Sequence, residues 1–182
     1  AQQNKLSVAQ VAMANEVSVS GKSEAEINAF IDKITTAMVN IVKSGLSMPV
    51  GFKNSTDGTV QTAVDAVLSA RSPHLFPSVT KQGICAIFET TGNDTCHVIL
   101  RGGTRTGPNH DANSVSEVCA RLAAKSLRES VMIDCSHGNS QKDHRKQIEV
   151  ASAVAAQVAE GAWPIFGTML ERHLGEGRQN YV

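Results

Sequence analysis

Four short apolar runs punctuate the chain: Met48-Pro49-Val50-Gly51-Phe52, His97-Val98-Ile99-Leu100, Val131-Met132-Ile133 and Pro164-Ile165-Phe166-Gly167-Thr168-Met169-Leu170. Stretches of helical periodicity separate them, and this alternation constrains the fold more than any other feature. A strand-length run followed by an amphipathic helix is a βα unit. Consecutive units build a parallel sheet, because each helix returns the chain to the edge where the next strand starts. Helices are expected at about Thr59 to Ala70, Ser114 to Lys125 and Gln141 to Glu160, each with Ala, Val, Leu or Ile along one face. Leu75 to Thr80 and Ile84 to Thr90 flank Lys81-Gln82-Gly83, the pattern of a β-hairpin inserted between the first helix and the second strand. The expected fold class is α/β, with about four βα units plus a hairpin.

The texture before this region is different. Ser23-Glu24-Ala25-Glu26 has the form of a capping box, and Ile27, Phe30, Ile31, Ile34, Met38, Ile41 and Val42 follow at helical spacing until Lys43-Ser44-Gly45 stops the pattern. A shorter helix is expected from about Ser7 to Val17, with a narrow apolar face. A length of 182 residues with 41% hydrophobic residues suits one sizeable core. The change of texture marks residues 1–44 as a helical segment and 45–182 as the βα region.

The polar groups fall at telling places. The four runs end at or near Lys53, Arg101, Asp134 with His137, and Glu171. In a parallel barrel the C-terminal strand ends carry the active site, so two cations, an imidazole and carboxylates are expected on one rim. A guanidinium is a forked donor and an ammonium a compact charge, and together they suit a substrate bearing phosphate and carboxylate. His and Glu together can ligate a divalent metal that polarises a carbonyl.

Composition excludes other classes. Lys plus Arg is 17 and Asp plus Glu is 17, so the overall field attracts neither nucleic acid nor anionic membrane, and any anion site must be local. Aromatic residues are 4%, too few for base-stacking platforms. No apolar run approaches the roughly 20 residues that cross a bilayer, and AQQNKLSVAQ lacks the order of a secretory signal, so a cytoplasmic protein is expected. Cys85, Cys96, Cys119 and Cys135 follow no zinc pattern and are expected to be buried free thiols.

Residues Ser44-Gly45-Leu46-Ser47-Met48-Pro49-Val50-Gly51-Phe52-Lys53-Asn54, followed by Thr56-Asp57-Gly58-Thr59, form a block that resembles the SGLS-PVGFKN-TDGT block of class I 3-deoxy-D-arabino-heptulosonate-7-phosphate (DAHP) synthases. Ser78-Val79-Thr80-Lys81, Ile99-Leu100-Arg101-Gly102-Gly103, Met132-Ile133-Asp134-Cys135-Ser136-His137-Gly138-Asn139-Ser140 and Gly167-Thr168-Met169-Leu170-Glu171 recur in the family's order. The resemblance runs from Ser44 to about Gln179. It implies part of a (β/α)8 TIM-type barrel and a reaction that joins phosphoenolpyruvate to erythrose 4-phosphate with release of phosphate, opening the shikimate route to aromatic amino acids. By the same resemblance, Lys53, Arg101 and His137 are the catalytic and phosphoenolpyruvate-binding residues. His137 and Glu171 are implied ligands of a divalent metal, manganese first, with iron, cobalt or zinc as the other candidates. Leu46, Ser47, Phe76 and Ser78 correspond to the pocket in which an aromatic amino acid inhibits the family.

Segments similar to the family's GPCSIHD, KPRT, ARTTES and ITDACIGW blocks, which carry a cysteine ligand, substrate contacts and an aspartate ligand, are not found in the chain. The resemblance therefore implies strands five to eight of the barrel, a partial site, and open sheet edges that are costly unless paired. Completion by another chain or by a homo-oligomer is expected, and the chain by itself is expected to be inactive. The competing function is a non-catalytic half-barrel that binds phosphate-bearing or aromatic amino acid ligands, or assembles through its edges. Bland readings stand beside the sharp ones. Lys53 and Arg101 as solvated strand-end charges, His137 as a helix cap and Glu171 as a surface acid beside Arg172 are the alternatives to a site. Cys135 is read as packed rather than as a replacement thiolate, because side chains alternate along a strand. His144 and His173 are read as surface residues, and Gly102-Gly103 as a place of close backbone approach to an anion.

Overall fold

The computed structural model describes residues 23, 25, 26, 29, 38–161 and 164–172. After the helical residues 38–43 the elements are β1 (Gly51–Lys53), α1 (Gln61–Arg71), β2 (Leu75–Val79), β3 (Cys85–Glu89), β4 (His97–Leu100), α2 (Ala112–Ala123), β5 (Val131–Asp134), α3 (Lys146–Ala159) and β6 (Ile165–Met169). They belong to two compact units, the first made of residues 1–48 and 69–94 and the second of residues 49–68 and 95–182. No described helix is long and apolar enough to cross a membrane.

The second unit carries a four-stranded sheet in the order β1-β4-β5-β6, with every neighbouring pair parallel. The α/β class expected from the alternation is the observed one. β4 is buried at all four positions, as a central strand of a parallel sheet requires. Val98, Leu100, Val131 and Ile133 are wholly buried, and α2 adds Val115, Val118, Cys119 and Leu122 at the i, i+3, i+4, i+7 spacing of one helix face. Full burial of each such aliphatic side chain contributes roughly 1.5–3 kcal/mol.

Element ends depart from expectation for local reasons. β1 begins at Gly51 rather than Met48; Pro49 has no N–H to donate, and the ladder opens where His97 N–H donates to the Val50 carbonyl at 3.0 Å. α1 begins at Gln61 because the Asp57 carboxylate first accepts the Thr59 N–H at 2.9 Å and its hydroxyl at 2.8 Å, forming a turn. α3 begins at Lys146, five residues late, because Gln141 and Lys142 have φ of 56° and 64°, which no right-handed helix admits. On β6 the partners of Val131 and Met132 are Ile165 and Gly167, so Phe166 is an extra residue. Its ring meets His97 edge-on at 4.7 Å.

Asp111 caps α2, its Oδ1 accepting the N–H groups of Asn113 and Ser114 and its Oδ2 the Ser114 hydroxyl at 2.6 Å. The Ser114 hydroxyl, with the backbone donors, holds the Asp111 carboxyl below its ordinary value of 3.8 against a smaller upward push from burial. Asp111→Ala is expected to lower stability by about 1 kcal/mol in urea unfolding at pH 7. A depressed carboxyl stabilises the fold above its unfolded value and loses that contribution as pH falls through the folded value. The gap between wild type and variant should therefore close below pH 3.8.

In the first unit, the expected capping box is formed: Ser23 N–H donates to Glu26 Oε2 at 2.8 Å, and Glu26 N–H donates to Ser23 Oγ at 3.3 Å. Ile27, Phe30, Ile31, Ile34 and the candidate helix from Ser7 to Val17 lie outside the described residues. The hairpin is present as antiparallel β2 and β3, with Phe76 stacked on Phe88 at 6.2 Å. Its link to residues 40–48 is polar and buried. Ser44 Oγ lies 2.6 Å from Thr90 Oγ1, and Asn93 Nδ2 donates to the carbonyls of Lys43 (3.4 Å) and Met48 (2.8 Å), closing the turn that contains Leu46 and Ser47.

Candidate active site

Lys53, the last residue of β1, and Asp134, the last residue of β5, end on the same side of the parallel sheet, and the chain places His137 and Glu171 just beyond β5 and β6. Lys53 Nζ donates to Asp134 Oδ2 at 2.7 Å and to Glu171 Oε1 at 3.4 Å. His137 Nδ1 is 2.9 Å from the same Asp134 oxygen, and His137 Nε2 is 3.7 Å from Glu171 Oε1. The Asp134 side chain is fully buried, whereas those of Lys53, His137 and Glu171 are 31%, 27% and 52% exposed. Asp134 is thus the fixed centre and the other three reach outward from it.

Asp134 Oδ1 accepts the Ser136 N–H at 2.9 Å and the Ser136 hydroxyl at 2.5 Å, so both of its oxygens are used. Burial would raise the Asp134 carboxyl. The hydrogen bonds from Lys53 and Ser136, with the Lys53 charge, outweigh it and hold the group below the ordinary carboxylate range. Because an ionised carboxylate only accepts, it fixes the proton of His137 on Nδ1 and leaves the Nε2 lone pair directed away, toward Glu171. His137 has φ of 53°, a left-handed conformation that costs about 1–2 kcal/mol and that this hydrogen bond helps to hold. The role of helix cap is not the one His137 takes: α3 starts at Lys146 and its N-cap, Arg145, makes no side-chain capping bond.

The ligand atoms of Asp134, His137 and Glu171 lie within 4.8 Å of one another, close enough to share one cation. With the Asp134 oxygens already engaged, the donors left for an ion are His137 Nε2 and Glu171, whose Oε1 takes only the longer Lys53 bond at 3.4 Å. An imidazole plus a carboxylate suits a first-row divalent ion. Cys135, adjacent to Asp134, is wholly buried; burial and then the Asp134 charge push its thiol up, which disfavours the thiolate that metal binding needs.

Arg101 follows β4. Its backbone N–H donates to Asn54 Oδ1 at 2.8 Å, and its carbonyl accepts from Gly138 and Asn139 at 2.9 and 3.2 Å, tying it to the loop that bears His137. Its Nε is buried with no hydrogen-bond partner among the described residues. A buried unpaired guanidinium N–H costs free energy until something accepts from it. Gly102-Gly103 does serve close backbone approach, here to other backbone: a Cβ on Gly102 would stand 2.5 Å from the N of Asn139 and the C of Gly138.

Residue Gln147 escaped the sequence reading. From α3 its side chain accepts the Glu171 N–H at 3.0 Å and donates to the Glu171 carbonyl at 2.9 Å, fixing the acid's backbone on both sides. It shares the buried face of α3 with Val150 and Val154, where an amide needs a partner. Leu46, Ser47, Phe76 and Ser78 lie in the first unit, Leu46 and Ser47 in the clamped turn, Phe76 and Ser78 on one half-buried face of β2. His144 is exposed and His173 lies outside the described residues.

The profile described as the DAHP synthetase I family matches residues 25–182. The chain belongs to the DAHP synthetase I family. It is 52% identical over 137 residues to the Phe-sensitive phospho-2-dehydro-3-deoxyheptonate aldolase of Escherichia coli K12, covering 75% of this chain and 39% of that protein. Against the tyrosine-inhibited phospho-2-dehydro-3-deoxyheptonate aldolase of Schizosaccharomyces pombe the identity is 50% over 137 residues, covering 75% of this chain and 37% of that protein. A solved structure of phospho-2-dehydro-3-deoxyheptonate aldolase from Francisella tularensis SCHU S4 matches with a TM-score of 0.72 at 50% identity, covering 79% of this chain and 41% of that one. This member of the DAHP synthetase I family thus spans well under half the length of the relatives it matches. Lys53, Arg101, His137 and Glu171 all fall in its described βα region.

Proposed function

We propose that this chain supplies the phosphoenolpyruvate- and metal-binding part of a DAHP synthase site, acting in the cytoplasm in the condensation of phosphoenolpyruvate with erythrose 4-phosphate. The observation that carries the reading is the Lys53–Asp134–His137–Glu171 cluster at the strand ends, together with the unpaired buried Nε of Arg101. Lys53 and Arg101 bind the phosphate and carboxylate of phosphoenolpyruvate as a compact charge and a fork. Asp134 keeps the His137 Nδ1 proton in place, and His137 Nε2 and Glu171 hold the divalent ion, manganese foremost. When bound, that ion supplies Lewis-acid polarisation of the aldehyde carbonyl. The residues of this chain orient the enol carbon of phosphoenolpyruvate toward that aldehyde, and orientation is the larger part of what a site contributes to such a bimolecular step.

The reading extends to the architecture: the four parallel strands are taken as half of a (β/α)8 barrel, and the proposed partner is the rest of that barrel, supplied by another chain, a second copy or the remainder of a longer chain. This is supported by the edge positions of β1 and β6 and by Phe166 and Leu170, 52% and 57% exposed. The proposal extends to an aromatic amino acid bound by Leu46, Ser47, Phe76 and Ser78, for which the names of the Phe-sensitive and tyrosine-inhibited relatives are the support.

The test is reconstitution. The chain is mixed with the N-terminal portion of a phospho-2-dehydro-3-deoxyheptonate aldolase and manganese, and phosphate release from phosphoenolpyruvate is followed with and without erythrose 4-phosphate. Release that requires the sugar phosphate and is lost in Lys53→Ala is the expected result. A well-folded mixture that forms a stable complex yet releases no phosphate would overturn the catalytic reading.

A further inference from the structure

Behind Arg101 lies a chain of three buried asparagines, Asn54, Asn109 and Asn139, which are 2%, 7% and 4% exposed. Asn54 Oδ1 accepts the Arg101 N–H at 2.8 Å, and its Nδ2 donates to the Gly102 carbonyl at 3.1 Å. Asn109 Oδ1 accepts the Gly102 N–H at 2.6 Å, and its Nδ2 donates to Asn54 Oδ1 at 3.3 Å. Asn139 Oδ1 accepts the Asn109 N–H at 2.8 Å, and its Nδ2 bridges the carbonyls of Leu100 (3.1 Å) and Asp134 (2.8 Å). The Arg101 carbonyl takes the N–H groups of Gly138 and Asn139. Every backbone polar group of Arg101 and Gly102 is therefore held by these asparagines or by the adjoining Gly138.

Asparagine suits this arrangement. Each side chain donates and accepts at short reach while staying neutral; aspartate would set a charge against carbonyl oxygens, and alanine would orphan buried groups. The network spans the residue after β1, the loop before α2 and the loop after β5, so it couples the Arg101 backbone to Asp134. None of the three contacts the Lys53–His137–Glu171 side chains.

We infer that Asn54, Asn109 and Asn139 are positioning residues for Arg101. They fix its main chain so that the buried, unpaired Nε meets an anion without a loop having to be ordered on binding. Preorganisation of this kind raises affinity by removing an entropy cost rather than by adding a contact. The inference rests on the proposed reading of Arg101 as a phosphoenolpyruvate ligand.

Asn109→Ala tests it, because Asn109 serves the Arg101–Gly102 segment and makes no hydrogen bond to Asp134, His137 or Glu171. Amide hydrogen exchange in the full chain should show faster exchange at Arg101 and Gly102, with Ile133 unchanged. Titration calorimetry should show phosphoenolpyruvate bound about tenfold more weakly, while affinity for manganese alone stays within about twofold. Unchanged phosphoenolpyruvate affinity in Asn109→Ala, or loss of phosphoenolpyruvate and manganese affinity in equal measure, overturns the inference. Arg101→Ala separates the two levels. If it leaves phosphoenolpyruvate binding intact, the reading of Arg101 fails and takes the inference with it. If it abolishes binding and Asn109→Ala does nothing, only the inference fails.

Discussion

Replacing Asp134 with alanine is expected to cost about 3 kcal/mol of stability and to weaken manganese binding by about 10- to 100-fold. The substitution strips a wholly buried carboxylate from four donors at once: Lys53 Nζ, His137 Nδ1, and the N–H and hydroxyl of Ser136. Breaking a buried pair leaves the partner charge without compensation, which costs more than the intact pair was worth. Lys53 is 31% exposed and can rehydrate, so the loss falls at the lower end of the usual range of about 3–5 kcal/mol. The metal effect has another origin. Without the carboxylate only the Ser136 hydroxyl, 2.8 Å from Nδ1, is left to hold the His137 proton there; a hydroxyl can donate as well as accept, so the ring spends part of its time with Nε2 protonated and unable to ligate. Urea unfolding and a manganese titration measure the two effects separately. The Asp134 carboxyl is depressed in the folded state, so its contribution is present above the ordinary value of 3.8 and is lost as pH falls through the folded value. A variant as stable as wild type at pH 7 would mean that Asp134 is not the centre of the cluster.

Gly102→Ala is the second large effect. Gly102 has φ of 70°, and the added Cβ would stand 2.5 Å from backbone atoms of Gly138 and Asn139, which cannot rotate aside as a side chain could. The loop after β4 must then part from the loop after β5, with an expected loss of about 3 kcal/mol or more, from the backbone conformation and the clash together. Gly107 is the control. Its φ of 76° is similar, but a Cβ there meets nothing within 4 Å, so Gly107→Ala should cost only about 1 kcal/mol. Thermal unfolding of the two variants side by side checks this: equal losses would mean that conformation alone, and not the approach of the loops, sets the requirement for glycine at position 102.

The features most legible in the sequence were those set by periodicity. The four apolar runs became the parallel strands, His97–Leu100 with unchanged limits, and Lys53, Asp134, His137 and Glu171 at the ends of three of them came together because parallel strands all finish on one side. Less legible were the ends decided by one or two residues. Nothing in the composition of Gln141 and Lys142 announces a left-handed conformation, so periodicity carries the expected helix back to Gln141 while α3 starts at Lys146. The supporting residues were hidden for a related reason. Gln147, Asn54, Asn109 and Asn139 act through backbone groups far away in sequence, and a hydrogen bond across 24 or 47 residues leaves no local pattern. Asp134 was visible as a strand-end acid, yet its place as the hub between Lys53 and His137 depends on the register that brings β1 and β5 to either side of β4.

Isothermal titration of phosphoenolpyruvate into the full chain, with and without manganese, tests the central claim most directly. The account predicts binding that manganese strengthens, that Arg101→Ala and Lys53→Ala abolish, and that His137→Ala reduces to its metal-independent level. Absence of binding at millimolar phosphoenolpyruvate, with the chain folded and its mass in solution known, would contradict it. The strand-end cluster would then be a structural ion-pair network and no longer part of a substrate site.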